Sequence, residues 1–306
     1  MIFTLTLNPS IDYYLTVDQP LMDTEVNRAT HEQLKAGGKG LNVSYALHKL
    51  AIPSTAIAVL GGFSGEFIKE QVSKQQYVNL IPITAPAANR INVKIYQEDK
   101  NLNINAKGIQ ASTEILAEIF KQLQQVQSGD YVLVCGSLLK NTPETFLQEI
   151  ADLTHQKQAH LVLDLETLSL TKLCHLKPFM IKPNLYEFEL LLQKQNLSLD
   201  EIPGCLDEVL ATGVESVLLS LGEKGAVYAT QSEKVRLLVS AIPAINKVGP
   251  GDAMIGGFIG KLSTGSDIVE ALKWGGAAGA AVAATLEDST RDDIQDLYPH
   301  MKVERL

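Results

Sequence analysis

The sequence predicts an α/β protein: a mostly parallel sheet covered by helices on both faces. Two observations carry that expectation. Short apolar runs of strand length recur along the whole chain, and helix-period segments lie between many of them. Strands separated by helices are joined by crossovers, which leave neighbours parallel and both sheet faces covered. The strand candidates, in order, are Phe3–Leu7, Ala56–Leu60, Tyr131–Val134, Leu161–Leu163, Met180–Ile181, Val217–Leu219 and Val227–Ala229. Among the helical segments, Val43, Ala46, Leu47 and Leu50 share one face and are stopped by Pro53. Leu185, Phe188, Leu191 and Leu192 form a second stripe. Ligands in such sheets sit beyond the carboxyl ends of the strands.

Two stretches break the rhythm. Ile11–Val17 and Ile91–Tyr96 alternate like half-exposed strands with no prompt helix after them, and Asn101–Asn105 continues the second through a turn at Glu98-Asp99-Lys100. They predict a small β element standing off the main body, serving as a lid or a subunit contact. The expected division is residues 1–10, 28–86 and 108–306 for the main domain, with 11–27 and 87–107 for the lid.

Composition excludes several function classes. With 306 residues, 45% hydrophobic and 20% charged, this is an ordinary globular sequence and not a disordered, collagenous or coiled-coil one. The formal net charge of −9 leaves no basic excess to neutralise a polyphosphate backbone, so no nucleic-acid partner is expected. A small anionic ligand needs only a local group of cations. The start lacks a basic segment followed by a long apolar core, and no uncharged apolar stretch reaches the roughly 18 residues of a membrane span, so no membrane association is expected. Cys135, Cys174 and Cys205 are an odd, scattered set without metal-binding spacing, as in a reducing cytosol; the expected location is cytoplasmic.

The common nucleotide signatures are absent. Gly38-Lys39 is followed by Gly40 instead of Ser or Thr, and neither Gly38/Gly40 nor Gly249/Gly251 reaches a third glycine at the dinucleotide spacing. The segment Asn246-Lys247-Val248-Gly249-Pro250-Gly251-Asp252-Ala253-Met254 is more informative. A Gly-Pro-Gly turn leads into an apolar helix running to the region of Leu262. Its first-turn N–H groups, aided by the macrodipole, suit an anion. Asp252 at the same end suits a general base that takes a proton from a hydroxyl attacking a phosphoryl group. The same residues also describe a capped helix with proline at its start.

The other candidates carry similar pairs of readings. Ala36-Gly37-Gly38-Lys39-Gly40, with Asn42 a turn later, lets backbone approach a ligand and offers a cation, or is a glycine turn before a helix. Asn184 and Glu187 have capping-box spacing, and the same amide and carboxylate suit the waters of Mg²⁺. Ser220-Leu221-Gly222-Glu223-Lys224-Gly225 is a turn between strands or a glycine platform for a triphosphate. Arg90 and Lys94 lie on one face of an extended strand and could join Lys39 on a phosphate, or remain solvated. Asp12 suits sugar hydroxyls or the end of a turn. The histidines show no ligand spacing.

In chain order, Asn8-Pro9-Ser10-Ile11-Asp12, Gly37-Gly38-Lys39-Gly40 with Asn42, Arg90-Ile91-Asn92-Val93-Lys94, Lys182-Pro183-Asn184 with Glu187, Ser220-Leu221-Gly222 with Gly225, and Gly249-x-Gly251-Asp252 resemble the ribokinase/PfkB sugar kinase family over essentially the whole chain. The first three segments look most like the 1-phosphofructokinases, with tagatose-6-phosphate kinases close behind. The resemblance implies a ribokinase-like three-layer α/β/α sandwich with a small β-sheet lid. It implies ATP-dependent phosphorylation of a ketose phosphate, fructose 1-phosphate to fructose 1,6-bisphosphate. It further implies Asp252 as the base, with the N–H groups of Gly249 and Gly251 stabilising charge on the transferred group. Asp12, Gly38 and Asn42 would bind the sugar. Lys39, Arg90, Lys94 and Asn105 would bind its phosphate, with Ser137 also on the substrate. Lys182, Asn184, Ser220, Gly222, Gly225 and Asn246 would line the ATP site, with Glu187 and Asp164 acting on Mg²⁺ through water. A homodimer through the lid is also implied. Where the family commonly has Ala between the two glycines and Ser after the aspartate, this chain has Pro250 and Ala253. Proline brings no N–H to an anion site, which admits a reading of another class, a weakly active sugar-phosphate sensor.

Overall fold

The strands are β1 (Ile2–Thr6), β2 (Ser10–Thr16), β3 (His31–Gly37), β4 (Ser54–Leu60), β5 (Val78–Thr84), β6 (Arg90–Tyr96), β7 (Asn101–Ile104), β8 (Tyr131–Cys135), β9 (His160–Asp164), β10 (Met180–Ile181), β11 (Ser216–Ser220), β12 (Ala226–Thr230), β13 (Lys234–Val239) and β14 (Met301–Arg305). The helices are α1 (Lys39–Lys49), α2 (Gly62–Ser73), α3 (Thr113–Leu123), α4 (Thr145–Gln156), α5 (Leu170–Leu176), α6 (Leu185–Leu192), α7 (Ile202–Leu210), α8 (Pro250–Ser263), α9 (Ile268–Ala283) and α10 (Arg291–Leu297). The computed structural model describes residues 1–24, 26–97, 101–166, 168–239, 244–246, 248–285 and 287–306. The expected turn at Glu98-Asp99-Lys100 lies outside the described residues, as does Lys247 of the glycine-rich segment.

The larger sheet has the order β14-β13-β12-β11-β10-β9-β8-β1-β4-β5. From β5 to β11 every neighbouring pair is parallel, and β12, β13 and β14 extend it antiparallel. All seven expected strands fall in this sheet. Four strands are not among those expected, although β13 alternates Val235, Leu237 and Val239 and β5 carries Val78, Leu80, Ile81 and Ile83. Of these, β3 and β14 are largely exposed, and β13 is half-buried near an edge. The fourth, β5, is an edge strand carrying Pro82, a residue tolerated there because an edge position need not donate to a ladder.

Each face of the sheet is covered by its own core. Val132, Val134, Leu161 and Leu163 point to one side with Ile119 of α3, Ile150 of α4, Phe188 of α6 and Leu206 of α7. Leu133, Val162 and Leu218 point to the other with Val43 and Leu47 of α1, Ile255 and Phe258 of α8 and Leu272 of α9. Adjacent residues of one strand thus enter opposite cores, which is why these strands are continuously apolar.

The smaller sheet has the order β3-β2-β6-β7, with β2 and β6 parallel and the outer pairs antiparallel. The expected lid ranges omit β3. It pairs with β2 from Ser10↔Gly37 to Thr16↔His31, so the small sheet recruits a strand from within 28–86. Its polarity hides it: the solvated face of a sheet carries no apolar signature.

Close helix packing sets α8 in place. A Cβ at Gly256 would lie 2.9 Å from the Val43 carbonyl oxygen, and one at Gly257 would lie 2.7 Å from the Trp274 carbonyl oxygen and 2.9 Å from Gly275 Cα. Glycine therefore allows α8 to approach both α1 and α9, which holds the start of α8 beyond the carboxyl ends of the strands. Gly257→Val is expected to destabilise the protein by about 3 kcal/mol through overpacking against backbone, read as a lower urea midpoint; an unchanged midpoint would contradict the packing.

Candidate active site

The carboxyl ends of β1, β8, β9, β10 and β11 and the starts of α1, α6 and α8 carry the residues singled out above, as the position of ligand sites in parallel sheets requires. One open cleft of about 680 Å³ is lined by Asp12 and Gly37 from the small sheet, Asn42 from α1, and Asn246 and Gly249 before α8. It thus joins the lid to the glycine turn.

Asp252 is in the first turn of α8 and only 6% exposed. Asn42 Nδ2 donates to its Oδ2 at 2.8 Å. Burial, with the negative Asp164 nearby, pushes the Asp252 carboxyl up to about 7; the Asn42 hydrogen bond and the ammonium groups of Lys39 and Lys182 oppose that rise. A carboxyl poised there is suited to accept a proton near neutral pH. At the helix start, Gly249 takes a left-handed φ of 92° as N-cap, and Pro250 occupies the first turn without an N–H. The Ala253 N–H is committed to the Gly249 carbonyl at 2.9 Å. The amides with which this turn can face an anion are those of Gly249, Gly251 and Asp252.

A charged cluster adjoins this turn. Asp164, 1% exposed at the end of β9, accepts from Lys39 Nζ at 3.2 Å and faces Lys182 Nζ at 3.7 Å, both on Oδ1. Lys39 Nζ also lies 3.7 Å from Glu187 Oε1. Burial pulls the Lys39 ammonium down, but Asp164, Asp252 and Glu187 outweigh it and hold it well above the ordinary lysine value. Lys182 reaches back to α8: a Cβ on Gly251 would lie 3.1 Å from its Nζ. Asn184 and Glu187 form the expected capping box, with Glu187 Oε2 accepting from the Asn184 N–H at 2.8 Å. That leaves Oε1 towards Lys39. Asp164 Oδ2 is buried without a hydrogen-bond partner among the described residues. Those two oxygens fit the water shell of a hydrated Mg²⁺, which binds through few direct protein ligands. Among the described residues no group of three His, Cys, Asp or Glu could hold a metal directly.

Among the residues expected to bind the sugar and its phosphate, Gly38 takes φ 130° as N-cap of α1, and a Cβ there would strike Thr6 Cγ2 at 2.5 Å. Asp12 is buried in the small sheet and lines the cleft. Arg90 Nε donates to the Asn8 carbonyl at 3.1 Å and Nη1 to the Ala106 carbonyl at 3.3 Å. Lys94 is 6% exposed, opposite Tyr14 and Asn103 in the sheet. The expected cationic trio is therefore divided: Arg90 and Lys94 share the small sheet, while Lys39 turns to the carboxylates of β9 and α6. Asn105 is exposed beyond β7, and Ser137 Oγ accepts from Asn8 Nδ2 at 3.3 Å.

Among the residues expected to line the ATP site, Ser220 bridges Asn184. Gly222 has φ 61° with open space beside it. Gly225 is required by the fold itself, since a Cβ there would lie 1.9 Å from the Leu237 carbonyl oxygen. The Asn246 N–H is held by the Ala283 carbonyl at 2.9 Å. Contacts that escaped the sequence include the bond from Lys39 to Asp164, the bond from Asn42 to Asp252, and the bond from Asn92, which donates to Asp12 Oδ1 at 2.8 Å. The even spacing of Arg90, Asn92 and Lys94 was the only signal for the last.

The family profile described as pfkB family carbohydrate kinase matches residues 5–294. The chain is 32% identical over 306 residues to 1-phosphofructokinase of Bacillus subtilis (strain 168), covering 100% of both chains. It is 31% identical over 284 residues to D-tagatose-1-phosphate kinase of Bacillus licheniformis, covering 92% of each. Two solved structures show the same fold at lower identity. Escherichia coli phosphofructokinase-2 in complex with fructose-6-phosphate has a TM-score of 0.89 at 24% identity, over 97% of this chain and 98% of that one. Thermotoga maritima ribokinase has a TM-score of 0.78 at 19% identity, over 98% and 99%. The expected ribokinase-like fold with a small sheet is borne out, and the sensor reading finds no support among these relatives. No helix among the described residues is long and apolar enough to cross a membrane. The chain belongs to the pfkB family of carbohydrate kinases, phosphotransferases that use an alcohol of a sugar as acceptor.

Proposed function

We propose that the chain transfers the terminal phosphoryl group of ATP to the C6 hydroxyl of fructose 1-phosphate, giving fructose 1,6-bisphosphate and ADP. The observation that carries this reading is the buried Asp252 carboxyl in the first turn of α8, against the turn at Gly249 that lines the same cleft as Asp12 and Asn42. Asp252 takes the hydroxyl proton as the oxygen attacks phosphorus, and the amides of Gly249 and Gly251 stabilise the charge on the transferred group. Asp12, Gly38 and Asn42 hold the sugar; Arg90, Lys94, Asn105 and Ser137 surround its phosphate. Because Lys39 stands between Asp164 and Glu187, we place it on the phosphoryl group in transit instead of the sugar's own phosphate. Lys182, Asn184, Ser220, Gly222, Gly225 and Asn246 line the ATP site. Asp164 and Glu187 would hold waters of a Mg²⁺ that, when bound, neutralises phosphate charge.

The relatives modify the second reading. Their names point to ketose 1-phosphates, so the alternative substrate is D-tagatose 1-phosphate, the C4 epimer, in place of tagatose 6-phosphate. ADP release should require a ketose phosphate, with kcat/KM highest for fructose 1-phosphate in a panel containing both tagatose phosphates and fructose. Equal turnover of unphosphorylated fructose would contradict the reading.

We also propose a dimer through the small sheet. The alternation that turns Asp12 and Asn92 to the cleft turns Leu34, Ile91, Leu102 and Ile104 to the opposite face, where they are 38–55% exposed. Four large apolar side chains on one sheet face favour pairing with a second copy of it. Ile104→Lys is expected to shift the protein to monomer in sedimentation.

A further inference from the structure

Asn92 stands between Arg90 and Lys94 on β6, directly opposite Asp12 of β2. It is 5% exposed, in a setting where asparagine is a poor strand former. Its hydrogen-bonding capacity is well used. Nδ2 donates to Asp12 Oδ1 at 2.8 Å and to Ser10 Oγ at 3.1 Å, and Oδ1 accepts from the Ala106 N–H at 3.2 Å. Ser10 Oγ donates in turn to Asp12 Oδ1 at 2.9 Å. Both donors thus fall on one carboxylate oxygen of Asp12. The other, Oδ2, lies beside Gly37, where a Cβ would come within 2.6 Å of it. The carbonyl of the same residue, Ala106, accepts from Arg90 Nη1 at 3.3 Å. Across the β2–β6 pair it is a neutral amide that faces this buried carboxylate; the neighbouring cations, Lys35 opposite it on β3 and Arg90 on β6, are engaged by Asp288 and by the Asn8 and Ala106 carbonyls, which leaves Oδ2 for hydroxyl donors.

We propose that Asn92 is the positioning residue of the sugar site: its carboxamide locks Asp12 and the 105–108 loop in one register, so that Asp12 Oδ2 meets the sugar hydroxyls in a single orientation. This rests on the reading of Asp12 as a sugar ligand. A fixed acceptor of that kind distinguishes a hydroxyl from its epimer, and a rotating one does not. Asn92 is therefore a determinant of the choice between C4 epimers.

Asn92→Ala is expected to raise KM for fructose 1-phosphate about tenfold, consistent with losing a hydrogen bond to a charged group. KM for MgATP should stay within twofold, and the preference for fructose 1-phosphate over tagatose 1-phosphate should shrink. The deciding measurement is a double-mutant cycle with Asp12→Ala, because a residue acting through the Asp12 side chain has no further effect once that side chain is gone. Should Asn92→Ala fold poorly, Asn92→Ser with direct titration of fructose 1-phosphate reads the same affinity. Fully multiplying effects in the cycle, an unchanged sugar KM, or a parallel rise in the MgATP KM would each overturn the proposal. If Asp12→Ala itself left sugar affinity unchanged, Asp12 would fall as a sugar ligand and Asn92 with it; a strong Asp12→Ala effect with an independent Asn92→Ala effect overturns the role of Asn92 alone.

Discussion

Asp252→Asn is expected to lower kcat by about 10³ or more, within the range that a positioned general base contributes, while the Kd for ATP stays within twofold. The substitution keeps shape, and an amide oxygen can still accept from Asn42, so the loss reports proton acceptance and not a displaced helix. Stability should move the other way. The Asp252 carboxyl is raised from its ordinary 3.8 to about 7 by burial and by Asp164, so the folded chain binds the proton more tightly than the unfolded chain does. Ionising it therefore costs stability progressively as pH rises from about 4 through 7, and fully above that. The Asn variant avoids this cost. It should match the parent near pH 4 and exceed it at pH 8 in denaturant midpoint. The parent's kcat/KM for sugar phosphate should climb with pH through neutrality and then level off. Turnover surviving in the variant would remove Asp252 as the base.

The parallel sheet was legible because burial on both faces writes it into the sequence: Tyr131–Cys135 and Leu161–Leu163 are unbroken apolar runs serving two cores. The small sheet was half legible. Its cleft face is polar by function, so Arg90, Asn92 and Lys94 show a strand only through alternation, while β3, with Glu32, Gln33 and Lys35, resembles loop. The pieces of the candidate site were legible as separate motifs, because each needs a special backbone: glycine at the positive φ of positions 38 and 249, and a cap at Asn184. Their mutual contacts were not. Lys39 and Asp164 lie 125 positions apart, and Asn42 and Asp252 lie 210 apart. No local pattern says which carboxylate a lysine on the first turn of α1 will meet. That choice decided where Lys39 points, and it separates a phosphate clamp of three cations from the two-part arrangement observed.

Asp164→Asn should produce the largest loss of stability among the site variants, with a shift in pH dependence of predictable sign. Among the described residues the ammonium groups paired with this cluster of Asp164, Asp252 and Glu187 are those of Lys39 and Lys182, and Asp164 Oδ1 is the oxygen both approach. Removing its charge leaves the buried Lys182 without its nearest counter-charge. The half-screened Lys39 keeps Glu187, so the expected cost sits at the low end of the range for breaking a buried pair, about 3 kcal/mol. The Asp252 carboxyl simultaneously loses the negative neighbour that, after burial, does most to raise it. Its apparent pKa in the free enzyme should therefore fall, and the acid limb of kcat/KM should move to lower pH even as the urea midpoint drops. The two readouts discriminate. A residue that only braces the end of β9 would lower the midpoint and leave the limb in place, whereas a limb displaced to higher pH would mean that Asp164 does not act on Asp252 through its charge. Requirement for Mg²⁺ should rise in the same variant, because the unpartnered Asp164 Oδ2 is one of the two oxygens suited to its water shell.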